Sequence, residues 1–402
     1  MIDLCSDKST CCGCGACIAI CPESAISMVE DEYGFLYPHI DSKLCIECHL
    51  CERVCAFKNV EISKKKPLQS YIGINKNPED LYRSASGGAF SAIAKFILDG
   101  NGVVIGCSWN ENFEAEHIIV DDYKSLYKLQ GSKYVQSDTD EIFEATKRLL
   151  RSKKRVFFSG TPCQVAGLKN YLDENYDGLL TADLICHGTP SMQFFNSYIK
   201  WYEKKNNCQV VDVNFRDKNF GWNEIGSISF KKKGRVKNRI LTYNEDPYFY
   251  MFMYGYFLRE SCYKCKYAGA EREGDLTLGD FWGIQKFYPE FNCFNGVSAI
   301  LVNTSKGEKI IKQIKDYINI IPTKYEYIEA NNEKLRCPTN QPKDRYKWLQ
   351  YWQTGGFDLV AREFYQQKWK TVLISKMKRR VPRKVKNLIK QVRDIIYLKR
   401  AY

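Results

Sequence analysis

A chain of 402 residues is long enough to bury a sizeable core and to divide into two or more domains. Its apolar fraction of 44% and charged fraction of 27% are those of a soluble globular protein. No window approaches the ~18 consecutive apolar residues of a membrane-spanning helix. The formal charge of +13 is concentrated at one end: residues 371–402 hold eleven Lys or Arg against one Asp, so the remainder is near neutral and no nucleic-acid surface is expected.

The N-terminus, MIDLCSDKST, has neither the charged nor the apolar segment of a secretory leader. A cytoplasmic, reducing setting is therefore expected, and metal or redox chemistry is favoured over disulfides. Ten of the first 55 residues are cysteine. Cys11, Cys14, Cys17 and Cys21 follow the spacing C-x2-C-x2-C-x3-C, and Cys45, Cys48, Cys51 and Cys55 repeat it at an offset of 34 residues. This is the spacing of two-cluster ferredoxins. Three cysteines at every third residue wrap a loop around one cube, and the fourth points to the other cube. Cys11, Cys14, Cys17 and Cys55 are thus expected on one [4Fe–4S] cluster, and Cys45, Cys48, Cys51 and Cys21 on the second. Gly13 and Gly15 are expected to let the backbone approach the sulfides. Structural zinc is the alternative, but eight cysteines in a duplicated run fit it poorly. Cys5 and Cys12 are left over as structural residues.

Residues 1–60 thus read as an α+β ferredoxin domain. EISKKKPLQS, at 61–70, reads as a linker or an extended crossing segment. An α/β domain with a mixed sheet follows over 71–345. GGAFSAIAKFIL is expected to be helical and GVVIGCSW a strand. DTDEIFEATKRLLRSKK reads as an amphipathic helix with Asp138 or Asp140 near its cap. RVFFSG reads as a buried strand, Pro162 to about Tyr171 as a helix, GLLTADLICHG as a strand and SMQFFNSYIKWYEKK as a helix. QVVDVNFRD, SISFKKKGRV and NRILTYN form a β-rich insert. Residues 346–402 read as a helical tail, basic from 371. Within it, VPRKVKNLIKQVRDIIYLKRAY has the pattern of an interfacial amphipathic helix, open to an anionic membrane surface, the protein body or a partner enzyme.

Four more cysteines draw attention. Cys163 opens a helix after one strand, Cys186 ends the next strand, and Cys262 and Cys265 form a CxxC. Strand ends of an open α/β sheet converge on one crevice, so these four thiolates suit a third cluster. Zinc or a redox-active dithiol are the other readings of the CxxC. His187, beside Cys186, is a candidate for proton transfer, with a structural hydrogen bond as the plainer role. Gly-rich turns at Ser86, Gly87 and Gly88, at Gly131, Ser132 and Lys133, and at Gly160 and Thr161 suit anion binding, although none is a GxGxxG fingerprint. Asp280, after the strand DLTLGD, reads as a backbone anchor.

Together, SGGAFSA, GSKYVQS, GTPCQVAGLK, DLICHGTPS, the CxxC and DLTLGDFWG resemble the beta subunit of coenzyme F420 hydrogenase/dehydrogenase, above all bacterial members with an N-terminal two-cluster ferredoxin. The resemblance spans roughly residues 1–345. It implies an iron–sulfur flavoprotein that binds FAD and exchanges electrons with a small-molecule hydride acceptor such as the deazaflavin coenzyme. It also places Cys163, Cys186, Cys262 and Cys265 around a third [4Fe–4S] cluster, and the three turns around FAD. The fused ferredoxin implies that electrons arrive from a ferredoxin or another redox protein. A cell-envelope or polysaccharide-linked substrate is a second implied acceptor. The competing expectation is a non-catalytic subunit that relays electrons to a partner enzyme.

Overall fold

The computed structural model describes residues 2–58, 66–139 and 141–380. Among these residues the strands are β1 (Ile26–Glu30), β2 (Leu36–Ile40), β3 (Gln69–Asn75), β4 (Val103–Trp109), β5 (Ala115–Val120), β6 (Val156–Gly160), β7 (Leu179–Leu184), β8 (Gln209–Asn214), β9 (Ile225–Lys232), β10 (Arg235–Thr242), β11 (Leu276–Asp280), β12 (Ser298–Val302) and β13 (Ile318–Thr323). They make a hairpin, a three-stranded sheet and an eight-stranded mixed sheet of order β13-β3-β12-β11-β7-β6-β4-β5.

The cysteine-rich segment is built on the β1–β2 hairpin, paired Ile26 to Ile40, with the one-turn helices Ala16–Ala19 and Leu50–Arg53. The Asp31 carboxylate closes the hairpin by accepting from the backbone N–H groups of Tyr33 and Phe35.

In the large sheet, β4, β6, β7 and β11 are mutually parallel. β3 is antiparallel to β12, which is antiparallel to β11, so β3 runs with the parallel set. β6 is buried along its whole length, the pattern of a strand covered on both faces. The helix Pro162–Leu172 follows it directly. Its start is encoded locally by a Thr161–Gln164 capping box and by proline in the first turn. Gly167 on this helix is where the N-terminal segment docks: a Cβ there would stand 2.8 Å from the Cys14 Sγ.

The insert forms the three-stranded antiparallel sheet β10-β9-β8. An aromatic core lies between it, the helix Met192–Asn206 and the C-terminal helix Arg345–Gln367. There Phe194 stacks on Phe257 with centroids 3.8 Å apart. Each such fully buried aromatic side chain contributes roughly 1.5–3 kcal/mol.

Two sequence expectations change. β3 begins at Gln69, inside the stretch read as a linker, because its side chains alternate into the core and its backbone pairs on both sides. The helix Ile142–Arg151 has Glu141 at its N-cap position with no capping side-chain hydrogen bond, the Asp138 backbone pairs with Ala115 and His117, and Asp140 lies outside the described residues. Residues 345–367 form one long helix broken only at Gly356, whose φ of 59° and ψ of −161° a side chain would resist. The basic amphipathic helix expected over 381–402 lies outside the described residues. No helix among the described residues is long and apolar enough to cross a membrane.

Candidate iron–sulfur and cofactor site

Cys21, Cys45, Cys48 and Cys51 line one small cavity, walled by Ile2, Ile26 and Ile40. Cys11, Cys14, Cys17 and Cys55 gather beside it. Burial pushes the Cys17 thiol well up, and Cys14, Cys11 and Cys55 push it further, so these four side chains share one neighbourhood. Cys51, from the other quartet, also neighbours Cys17, so the two groups adjoin. Cys48 is the exposed member and faces solvent.

Gly13 and Gly15 have left-handed backbones, with φ of 67° and 81°. Their lack of a side chain serves neighbours that the sequence does not reveal. A Cβ on Gly13 would lie 2.4 Å from the Gln136 amide and 2.9 Å from the Arg259 guanidinium, and one on Gly15 would lie 2.9 Å from the Thr139 hydroxyl.

A second cavity is lined by Cys163, Cys186, Cys262 and Cys265, with Cys12, Thr161, His187 and Tyr267. The four cysteines come from the start of the helix after β6, the turn after β7, and the one-turn helix Glu260–Tyr263 with the loop that follows it. Burial, then the neighbouring thiols of Cys262, Cys163 and Cys265, hold the Cys186 thiol far above its ordinary range. Burial likewise pushes Cys262 up to about 11 and Cys265 up to about 12. Four thiols in so dry a place ionise readily only with a cation or metal beside them. Cys163 goes the other way, down to about 7, because the Cys12 thiol donates to it and Thr161 adds a hydrogen bond. Among the described residues no three His, Cys, Asp or Glu side chains close around a single metal ion. Cys21, Cys45, Cys48 and Cys51 line the first cavity and Cys163, Cys186, Cys262 and Cys265 the second.

Cys12, set aside as structural by spacing alone, hydrogen-bonds toward both Cys14 and Cys163. It therefore stands between the ferredoxin-type segment and the inner quartet. His187 donates from Nε2 to the Phe252 carbonyl at 3.0 Å. Burial, then the Lys334 charge, pulls its imidazole down to about 4, so the ring is neutral at working pH.

The three anion-type turns lie along the carboxyl edge of the parallel strands. Gly160 ends β6, and Thr161 reaches the inner cavity. Gly87 is glycine for a packing reason, since a Cβ would stand 2.2 Å from the Gly73 carbonyl and 2.3 Å from the Ser298 nitrogen. Ser86 donates to the Val297 carbonyl at 2.9 Å, and Gly88 caps the helix Ala89–Asp99. Gly131, with φ of 77°, faces open space. Gln130 ties the Gly131–Lys133 turn to the same helix through Ser91 at 2.9 Å. Lys133 is held against its own turn. Its ammonium donates to the carbonyls of Lys128 and Gln130, and burial lowers it to about 8.

Beside this edge lies a basic and aromatic group that sequence reading missed. Arg216 pairs with Asp280 at 2.8 and 3.2 Å. Trp222 donates to the same carboxylate at 2.6 Å and stacks on Trp282 at 4.8 Å. Asp280 therefore anchors side chains, not backbone. Lys218 donates to the carbonyls of Ser86 and Leu81 and is lowered to about 7 by burial. Tyr134 stacks on Phe252 at 4.2 Å, and Phe252 meets the His187 ring at 5.2 Å, which links this group to the inner cavity.

Grouped cysteines on a mixed α/β body define an iron–sulfur protein of the electron-transfer, oxidoreductase class. Residues 10–59 match the 4Fe-4S dicluster domain, and residues 153–326 match the C terminus of the coenzyme F420 hydrogenase/dehydrogenase beta subunit. Together these matches support the family of coenzyme F420 hydrogenase/dehydrogenase beta subunits for this chain. It is 21% identical over 327 residues to the F subunit of the F(420)H(2) dehydrogenase of Methanosarcina mazei, covering 77% of this chain and 84% of that one. It is 25% identical over 349 residues to an uncharacterized protein of Methanocaldococcus jannaschii, covering 76% and 87%. A solved F420-reducing [NiFe] hydrogenase complex from Methanosarcina barkeri has a chain that aligns at 14% identity over 67% of this chain and 89% of its own, with a TM-score of 0.43.

Proposed function

We propose that the chain is an iron–sulfur flavoprotein oxidoreductase that takes electrons from a ferredoxin-type donor and passes them through three [4Fe–4S] clusters and FAD to a small-molecule hydride acceptor. The observation that carries this reading is the convergence of Cys163, Cys186, Cys262 and Cys265 on one cavity, joined to the ferredoxin-type segment through Cys12. Cys21, Cys45, Cys48 and Cys51 would hold the outermost cluster, because Cys48 is exposed there. Cys11, Cys14, Cys17 and Cys55 would hold the next, and the second cavity the innermost. Residues 1–60 would then serve electron intake and residues 71–345 the chemistry. When bound, FAD supplies the change from one-electron to hydride transfer that iron–sulfur clusters lack.

The flavin site is assigned to the carboxyl edge, with Ser86, Gly87, Gly88, Gly131, Ser132, Lys133, Gly160 and Thr161 around it. Its support is electrostatic. Lys133 and Lys218 are buried ammonium groups with no carboxylate partner among the described residues, and such groups suit an anionic ligand. His187 would keep the ring end of the site in place through Phe252, with proton transfer a secondary role. The acceptor fits a deazaflavin such as coenzyme F420, by likeness to the relatives' named activity, and a cell-envelope metabolite is the alternative.

Anaerobic purification is expected to yield about twelve irons per chain, together with FAD retained or taken up on titration. A count near eight would remove the inner cluster, and failure to bind FAD would remove the flavin. FAD affinity should also depend on pH in a definite direction. Lys133 is cationic below about 8 and Lys218 below about 7, so an anionic ligand loses its partners as pH rises. Affinity is expected to fall by roughly tenfold between pH 6.5 and 9.5, read by flavin fluorescence quenching. A flat profile would exclude these lysines from the site.

The second reading is a protein that binds no substrate and hands electrons to a partner enzyme. The Methanosarcina mazei relative is by name one component of a dehydrogenase, which favours this reading. Bleaching of bound flavin by the reduced acceptor, with this chain alone, would decide for the first reading.

A further inference from the structure

Arg259 is fully buried, with 0% exposure, and lies just before the one-turn helix that carries Cys262. Its guanidinium does not serve that helix. It reaches across to the N-terminal segment, where Nε donates to the Cys11 carbonyl at 2.7 Å. One terminal nitrogen donates to the Cys11 Sγ at 3.4 Å and to the Leu36 carbonyl at 2.7 Å. The other meets the Gln136 amide oxygen at 3.2 Å. The cation lies over the Tyr37 ring, 4.1 Å from its centroid. Among the described residues no Asp or Glu pairs with it. A guanidinium cannot shed its proton, so burial without a counter-charge is strongly unfavourable. Among the described residues the sulfur that it hydrogen-bonds is that of Cys11, and Gly13 is glycine where a side chain would block that approach.

We infer that Arg259 is the counter-cation of the cluster held by Cys11, Cys14, Cys17 and Cys55, and that it raises the reduction potential of that cluster. This inference rests on the proposed assignment of those four cysteines. A [4Fe–4S] cluster gains one negative charge when it accepts one electron from the donor protein, and a fixed positive charge in a dry site stabilises the reduced form more than the oxidised one. The same side chain stands at the start of the helix that supplies Cys262, so it sits on the path between this cluster and the inner quartet. Arg259 is a positioning and tuning residue here and takes no part in the hydride step.

The test is an EPR-monitored potentiometric titration of the full chain, with iron counted in each sample. Arg259→Met and Arg259→Gln remove the charge, and Arg259→Lys keeps it. With full iron, the neutral variants are expected to lower one cluster couple and leave the others in place, by at least tenfold in the reduction equilibrium, which is about 59 mV for one electron. The lysine variant should shift it less. Loss of iron in both neutral variants, with retention in the lysine variant, would also support a required charge. Unshifted potentials in a fully loaded neutral variant would overturn the inference, as would loss of iron in all three variants, which would mark a purely structural fork. Absence of any [4Fe–4S] signal from the unaltered protein would instead sink the cluster assignment itself.

Discussion

Replacing Cys262 and Cys265 together by alanine is expected to take about four irons from the protein and leave about eight, the content of a two-cluster ferredoxin unit. The two thiols line the inner cavity with Cys163 and Cys186, and the substitution removes half of the ligand set while changing little volume. Two cysteines cannot hold a cube alone. Cys163 is a helix-start residue bound to Cys12 and Thr161, and Cys186 follows a strand, so neither can move to compensate. One set of EPR signals should vanish, and reduction of the flavin by a reduced ferredoxin should drop to background while FAD still binds. Cys208, on the turn before β8 and remote from the cavity, supplies the control, and its alanine variant should keep all its iron. Unchanged iron and EPR spectra in the double variant would end the inner-cluster reading.

The sequence was most legible where the relevant distances are covalent. The two cysteine runs carry their own geometry, since ligand spacing along a loop dictates which cube each thiol reaches. The strands β4, β6, β7 and β11 were legible as short apolar runs bounded by Gly, Pro and Asp. The inner quartet was legible only as an option, because Cys163 and Cys186 follow separate strands and the Cys262–Cys265 pair lies well beyond them in the chain, so only the tertiary fold brings them together. Arg259 gave no sign in LRESCYKC: its partner Cys11 is 248 residues away, and an arginine between a leucine and a glutamate reads as solvated surface. Lys218 and Arg216 were hidden in the same way within FRDKNF, where charge suggested a loop and packing made a buried basic group. Gly87 carries a second constraint that its turn did not announce: the nearest atoms that require glycine belong to β3 and to the start of β12. Local chemistry announces ligands and caps, whereas tertiary contact decides which charge is buried and which glycine is needed.

Replacing Arg272 by methionine is expected to cost about 3–5 kcal/mol, a larger stability loss than any of the cysteine or Arg259 substitutions should cause. Arg272 and Asp183 have side-chain exposures of 1% and 0%. The guanidinium donates to the Asp183 Oδ1 at 2.8 Å and 3.2 Å, and to the carbonyls of Tyr267 and Leu184. The other carboxylate oxygen accepts from the backbone N–H groups of Glu273 at 3.0 Å and Gly274 at 2.8 Å. Asp183 lies near the end of β7, three residues before Cys186, and Arg272 lies between Cys265 and β11. The pair therefore clasps the two chain segments that deliver Cys186 and Cys265 to one cavity. Without Arg272 the carboxylate stays buried and unpaired, while Asp183→Asn leaves the guanidinium in the same position. Either loss is a large share of the about 5–15 kcal/mol by which a protein is stable. The double variant Asp183→Leu with Arg272→Met removes both charges and is expected to be less damaged than the sum of the single variants, which marks desolvation as the cause. Chemical denaturation of the iron-loaded protein under anaerobic conditions reads these differences, and iron retention reads the second effect. If the clasp positions the inner quartet, the single variants should release inner-cluster iron before the ferredoxin-type clusters are affected. A methionine variant as stable as the parent would show that the pair is not what holds these segments together.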